Sequence, residues 1–208
     1  MVSARSMYTN IGFVVGIAGI SSAFQSTRVL TTSRTRTTVL SDSASDVEDF
    51  IAANFPSCSN FLSKNGDSMK KIIKADVGFT IFAPNEAAFE DLGETKRNQL
   101  EDVRNGEVTE KIASYHVILE PVTADQLFNS GGVITEGGEV PAERSVSGGF
   151  FGVGGKEDGG VTLNGAKVVN SFEFTDATKT GIVHEIDGFI SPSIMWRYAD
   201  QLRIPGSS

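Results

Sequence analysis

The spacing of apolar residues changes midway along the chain, and this change restricts the fold more than any other feature. Val47, Phe50, Ile51 and Phe55 recur at the spacing of one helical face, so a helix is predicted from near Asp46. Beyond residue 132, apolar residues instead alternate in short runs separated by glycines. Helices followed by short strands are typical of an α+β fold and argue against a βαβ repeat.

The second half carries the clearest local signal, a hairpin over Val161–Asn170. Asn164 and Gly165 stand between two apolar runs, and this pair favours the two positive φ angles of a type I′ turn. Alternation predicts further strands around Phe172 and over Gly181–Ile190.

The first half predicts helices with defined starts and two short strands. The predicted elements are a helical turn at Met69–Ile73, a strand at Phe79–Phe82 stopped by Pro84, a helix at Glu86–Leu92 capped by Asn85, a helix from Val108 to near Tyr115, a strand at Val117–Leu119, a capping box at Thr123–Gln126, and short strands at Val133–Ile134 and Glu139–Val140.

Residues 1–23 are predicted to be a cleavable signal peptide. Arg5 precedes an apolar run of ten residues, Ile11–Ile20, and small residues follow at Ser21–Ala23. A membrane-spanning helix needs about 20 apolar residues, so no stable span is expected once the leader is removed. A retained membrane anchor is the alternative.

Residues 24–41 form a second, transit-like or linker segment rich in Ser, Thr and Arg. Together with Phe24 directly after the predicted cut, the leader resembles the bipartite plastid presequence of algae with complex plastids. This resemblance favours the plastid as destination. The alternative is a plain secretory signal followed by a linker, which would make the protein extracellular.

Charge and residue types exclude several classes of function. The chain of 208 residues has 18 Lys and Arg against 26 Asp and Glu, a net charge of −8, which argues against a nucleic-acid partner. One Cys excludes an internal disulfide framework and a Cys-based zinc site. The two His are 68 residues apart, and no nucleophile elbow accompanies them. We therefore expect no enzyme, no metal and no cofactor.

Four segments, in order, resemble the fasciclin domain: Phe79–Phe89, Tyr115-His116, Thr162–Val168 and Gly181–Pro192. The predicted domain covers residues 42–192. The resemblance implies a β-sandwich wedge with flanking helices and a non-catalytic module used in cell adhesion and matrix contacts. It implies a protein or glycan partner in the matrix, whose identity, like the oligomeric state, stays open. The alternative is a carrier of a small apolar ligand, a pigment or a lipid, held in a large dry pocket.

Six residues are candidate partner contacts: Tyr115, His116, Phe150, Phe151, His184 and Asp187. Tyr115 and His116 match the family's Tyr-His pair, but they can also be structural, with the Tyr ring against the core and the His bonded to the backbone. Phe150 and Phe151 lie in the Gly-rich stretch Ser147–Gly160, either a contact loop or a flexible connection.

Residues 193–208 are predicted to be a helical extension with a stripe of Ile194, Met195, Tyr198 and Leu202. This helix either folds back on the domain or docks into a partner's groove. Cys58 is predicted to be a small buried hydrophobe, with a redox thiol or a dimer bridge as alternatives.

Overall fold

The structure, a computed structural model, describes residues 37–38, 44–64, 70–72, 75, 77–147, 156–175 and 179–201. The helices there are α1 (Ala44–Asn54), α2 (Pro56–Lys64), α3 (Glu86–Asp91), α4 (Gly93–Glu101), α5 (Gly106–Ser114), α6 (Ala124–Asn129) and α7 (Ser193–Gln201), with a 3-10 turn at Val103–Asn105. The strands are β1 (Thr37–Thr38), β2 (Gly78–Pro84), β3 (Val117–Ile118), β4 (Gly132–Thr135), β5 (Gly138–Ser147), β6 (Lys156–Leu163), β7 (Ala166–Thr175) and β8 (Thr180–Ile186).

The strands form one mixed sheet in the order β3-β2-β8-β7-β6-β5-β4, and β1 pairs separately with β7. The β2–β8 and β1–β7 pairs are parallel, while the other neighbours are antiparallel. The predicted α+β class is confirmed.

Two apolar cores lie on opposite faces of this sheet. In β2, Phe79 and Ile81 face a core built with α1, α2, α5 and α7. The alternate residue Phe82 faces the second core, where residues of β2, β3 and β8 meet those of β5 and β6. The sheet curls around this second core, so that its two edge strands, β3 and β4, approach each other. A hydrogen bond of 2.9 Å from the Glu136 N–H, just after β4, to the carbonyl of Val117 in β3 shows how close the edges come. Two halves closed over a common core give the expected wedge.

Several local predictions are confirmed. The Asn85 side chain accepts from the Ala88 N–H at 3.0 Å and caps α3. Thr123 and Gln126 form the reciprocal capping box of α6. In the β6–β7 hairpin, φ is 47° at Asn164 and 89° at Gly165, as a type I′ turn requires.

Other predictions need correction. Helix α2 was not predicted, although Cys58, Phe61 and Leu62 share its buried face, because intervening Ser and Asn residues weaken the pattern. Strand β5 is longer than the predicted Glu139–Val140. Strand β8 ends at Ile186 instead of Ile190, and the next residue, Asp187, donates its N–H to the Lys167 carbonyl while its carboxylate accepts from the Lys167 N–H. Residues 70–72 are helical, but Met69 and Ile73 lie outside the described residues.

Helix α7 folds back on the domain, but its buried face is not the predicted stripe. Trp196 and Ala199 are buried, and the Trp196 ring meets Phe189 edge-on at 5.5 Å. Ile194 and Tyr198, which belong to the predicted apolar stripe, are 40% and 51% exposed. The buried face of the helix therefore lies about one residue position away from the predicted stripe. Leu202 lies outside the described residues.

Candidate functional site

Tyr115 follows the last turn of α5, and its ring packs on the turn between β4 and β5. A Cβ on Gly137 would lie 2.5 Å from ring carbons of Tyr115, so only glycine permits this contact. The Lys111 ammonium lies 5.7 Å from the centre of the ring. Tyr115 is half-buried, so part of its side chain is accessible to a partner.

A solvent-open depression adjoins Tyr115. Lys71 and Glu136 form an ion pair of 2.8 Å across it. We call it the Tyr115 surface: Tyr115 with the lining residues Lys71, Glu107, Glu110, Lys111, Ser114 and Glu136. Three carboxylates and two ammonium groups on an accessible rim suit a polar partner contact better than the capture of an apolar ligand.

His116 is fully buried and bonded on both ring nitrogens. The Ile112 carbonyl can only accept, so Nδ1–H donates to it at 3.0 Å, and Nε2 accepts from the Ile190 N–H at 3.4 Å. Burial lowers the pKa of His116 to about 4, against a smaller opposing effect of the Ile112 bond. This imidazole is neutral at pH 7 and cannot reach a partner in this fold.

His184 is also fully buried, in the second core. Its Nε2–H donates to the Val122 carbonyl at 2.8 Å, and its Nδ1 accepts from the Ser171 hydroxyl at 2.7 Å. Phe82 stacks on the ring at 5.5 Å. Burial lowers the pKa of His184 to about 4, and the bond to Val122 opposes this in part. His184 thus also belongs to the interior and makes no surface contact.

Thr80 positions the carbonyl that His184 requires. Its hydroxyl donates to the Glu120 carbonyl and accepts from the Val122 N–H, each at 2.7 Å.

The two imidazoles hold opposite tautomers, because His116 donates through Nδ1 and His184 through Nε2, each to a backbone carbonyl. Within the described ranges, no group of three or more His, Cys, Asp or Glu side chains is placed to hold a metal.

Asp187 is exposed and lies just after the end of β8, where it pairs with Lys167 near the start of β7. Its carboxylate accepts from the Lys167 N–H at 2.6 Å, and its own N–H donates to the Lys167 carbonyl at 3.1 Å. The side chain is accessible, although one oxygen is engaged. The remaining predicted contacts, Phe150 and Phe151, lie outside the described residues.

A cavity of about 280 Å³ between β6 and β7 was missed at the level of sequence. Its wall includes Asp125, Phe128, Val169, Ser171, Glu173 and His184. Polar groups among these residues distinguish it from the large dry pocket expected of a lipid or pigment carrier, and its volume lies just below the usual range for ligand pockets. In the sequence, the adjacent glycines Gly159 and Gly160, which line this cavity from β6, were the only feature that could have indicated it.

Cys58 is fully buried in the first core. Burial raises the pKa of its thiol, and the nearby Glu86 carboxylate raises it further. A protonated, inaccessible thiol fits the predicted role as a small hydrophobe.

These observations define the class of the protein: an α+β domain in which both histidines are buried and hydrogen-bonded within the cores, so that they support the fold. The sequence pattern of the Fasciclin domain family matches residues 53–192, two thirds of the chain. The chain therefore belongs to the Fasciclin domain family.

Two relatives give the scale of this similarity. Periostin of Homo sapiens is 27% identical over 155 residues, which cover 74% of this chain and 17% of periostin. The chain thus spans a small part of that curated relative. A solved FAS1 domain pair from the insect cell adhesion molecule Fasciclin I is 20% identical, with a TM-score of 0.44, and covers 72% of this chain and 56% of the other.

None of the helices in the described part of the chain is both long and apolar enough to cross a membrane.

Proposed function

We propose that this chain is a non-catalytic adhesion module that binds a protein or matrix partner through its outer surface. The observation that supports this most is its membership in the Fasciclin domain family over residues 53–192, because the family includes the cell adhesion molecule Fasciclin I. The buried, neutral imidazoles fit a scaffold better than a catalytic site, since neither His116 nor His184 has an accessible nitrogen.

The Tyr115 surface is the proposed contact. It combines a half-buried aromatic ring with charged groups of both signs, and such a ring is a common anchor in interfaces. Asp187 is a second proposed contact, because its side chain is exposed at the β7–β8 corner.

An attachment assay with the purified full chain tests this proposal. Surfaces coated with the chain would be challenged separately with isolated plastid membranes and with whole cells of the species that expresses it, and attachment in each assay would be counted under flow. The Glu107→Lys, Glu110→Lys double variant reverses two exposed charges on the Tyr115 surface and should reduce attachment at least tenfold.

The matched control is the Glu48→Lys, Glu94→Lys variant, which makes the same charge change at exposed positions on α1 and α4. Its attachment should stay within twofold of the unchanged chain. Equal loss in both variants would refute the Tyr115 surface, and attachment no greater than to an uncoated surface would refute the adhesion function.

We also propose delivery through the secretory pathway, with the plastid as destination. The support is the apolar run Ile11–Ile20, followed by the acid-free, Arg-containing stretch Gln25–Ser41. A fluorescent fusion of residues 1–45 should accumulate in plastids. Fluorescence in the medium would instead identify a secreted protein, and fluorescence retained in the cytosol would overturn both destinations.

A further inference from the structure

The asparagine of the β6–β7 turn also holds a segment that is distant in sequence. The Asn164 amide nitrogen Nδ2 donates to the Ile190 carbonyl at 3.2 Å and to the Ser191 carbonyl at 3.3 Å. Ile190 is fully buried, and its own N–H donates to Nε2 of His116. Asn164 itself is exposed, so an accessible side chain fixes the position of a buried segment.

The residue after Asn164 makes this side chain open to chemical attack. The backbone nitrogen that follows an asparagine can attack the side-chain carbon Cγ, and glycine hinders this attack least because it has no Cβ. Gly165 is exposed, and within the described part of the chain its N–H is bonded to no acceptor. The attacking nitrogen and its target carbon therefore lie together, without a competing bond at the nitrogen, in a turn that water reaches.

A second Asn-Gly pair, Asn105-Gly106, shows how the fold can prevent this reaction. Asn105 is 3% exposed, and its Nδ2 donates to the Gln99 carbonyl at 3.0 Å. The Gly106 N–H is engaged as well, because it donates to the Val103 carbonyl. Burial of the asparagine and a bonded backbone nitrogen both oppose attack at this pair. The fold, and not the dipeptide alone, thus favours reaction at Asn164.

We propose that Asn164 is a site of spontaneous deamidation and that its conversion releases the Ile190-Ser191 segment. The Gly165 nitrogen bonds to Cγ of Asn164 and loses its proton, the Cγ–Nδ2 bond breaks, and the amide nitrogen leaves as ammonia. Water then opens the resulting succinimide ring and leaves an aspartate or an isoaspartate. Either product is a carboxylate at neutral pH, which accepts hydrogen bonds but donates none, so both bonds to the segment are lost. This modification does not depend on the proposed adhesion function.

Ageing of the full chain in mildly alkaline buffer tests the site. Peptide mapping by mass spectrometry follows each asparagine separately, so the pair Asn65-Gly66, which lies outside the described residues, does not interfere. In the folded chain, Asn164 should convert at least tenfold faster than Asn105, with isoaspartate among the products. In urea, where the fold protects neither site, the two should convert at similar rates. Equal rates in the folded chain, conversion of Asn164 in urea alone, or aspartate as the sole product would overturn the proposed reaction.

Amide hydrogen exchange tests the consequence for the buried segment. Asn164→Asp removes both donated bonds but keeps a residue type that tolerates a positive φ, so the turn itself should persist. Exchange at the Ile190 amide should become at least tenfold faster. Asn129→Asp is the matched control, because this exposed side chain donates to the Asp125 carbonyl of its own helix, and it should leave Ile190 unchanged. Unchanged exchange in the Asn164→Asp variant, or equal acceleration in both variants, would refute release of the segment.

Discussion

At the scale of single residues, the two buried imidazoles have hydrogen bonds on both ring nitrogens, and these bonds fix their tautomers. His116 donates through Nδ1 and His184 through Nε2, each to a backbone carbonyl. The Tyr-His pair is therefore divided between two roles, with the tyrosine ring at the surface and the imidazole in the core. The sequence left both interpretations of this pair open because side-chain direction depends on packing that neighbouring residues do not encode.

Phe82 tests the placement of the second core. Its ring is fully buried and stacks on His184, so Phe82→Ala removes a large apolar side chain that the surroundings cannot refill. We expect a loss of about 3–5 kcal/mol in the free energy of unfolding, measured by urea denaturation. A loss near zero would show that this core is misplaced.

The two imidazoles predict a loss of stability in acid. Their pKa is about 4 in the folded chain and about 6.5 when unfolded, so below pH 6.5 the unfolded chain binds more protons. Stability is thus complete above pH 6.5 and falls as the pH drops toward 4. At pH 5 the loss should be about 2 kcal/mol for each imidazole.

Denaturation of the chain and of His116→Gln between pH 7.5 and 5 separates this effect from that of the carboxylates, which both proteins share. The fall in the free energy of unfolding between pH 7.5 and 5 that the histidines cause should be about half as large in the variant as in the unchanged chain. Identical slopes in the two proteins would contradict a buried, neutral His116.

At the scale of elements, the type I′ turn decides where β7 begins. Gly165→Ala places a side chain at a φ of 89° and should lower the free energy of unfolding by about 1 kcal/mol. Gly106→Ala is the matched control, because Gly106 is helical with a φ of −50° and has equally open space around it. That change should stabilise the chain by about 0.5 kcal/mol. Effects of the same sign would argue against this turn.

Helix α7 offers a second comparison within one element. Trp196→Ala removes a buried ring that contacts Phe189 and should cost about 3 kcal/mol. Tyr198→Ala, at a half-exposed position, should cost about 0.5 kcal/mol. Thermal unfolding of both variants would measure the difference. Equal small losses would mean that the C-terminal helix is not a part of the folded domain.

At the scale of the whole molecule, the sequence predicted those features of the fold that depend on residues close together along the chain. The caps at Asn85 and Thr123 and the turn at Asn164 depend on local hydrogen bonds and backbone angles, and all three are confirmed. The pairing of Ser171 with His184 depends on the β7–β8 register, and the gap beside it depends on where β6 and β7 separate. Such distant pairings leave only weak traces in a single sequence, so the cavity was not predicted.

The central claim is that the two motif histidines, His116 and His184, are neutral parts of the interior whose tautomers are fixed by backbone carbonyls. Nitrogen-15 NMR of the imidazoles tests it most directly, because the chain has only two His and one variant assigns both. The account predicts opposite tautomers, with the proton on Nδ1 of His116 and on Nε2 of His184, and pKa values of about 4 for both. Two rings of the same tautomer, or either ring titrating near pH 6.5, would contradict it.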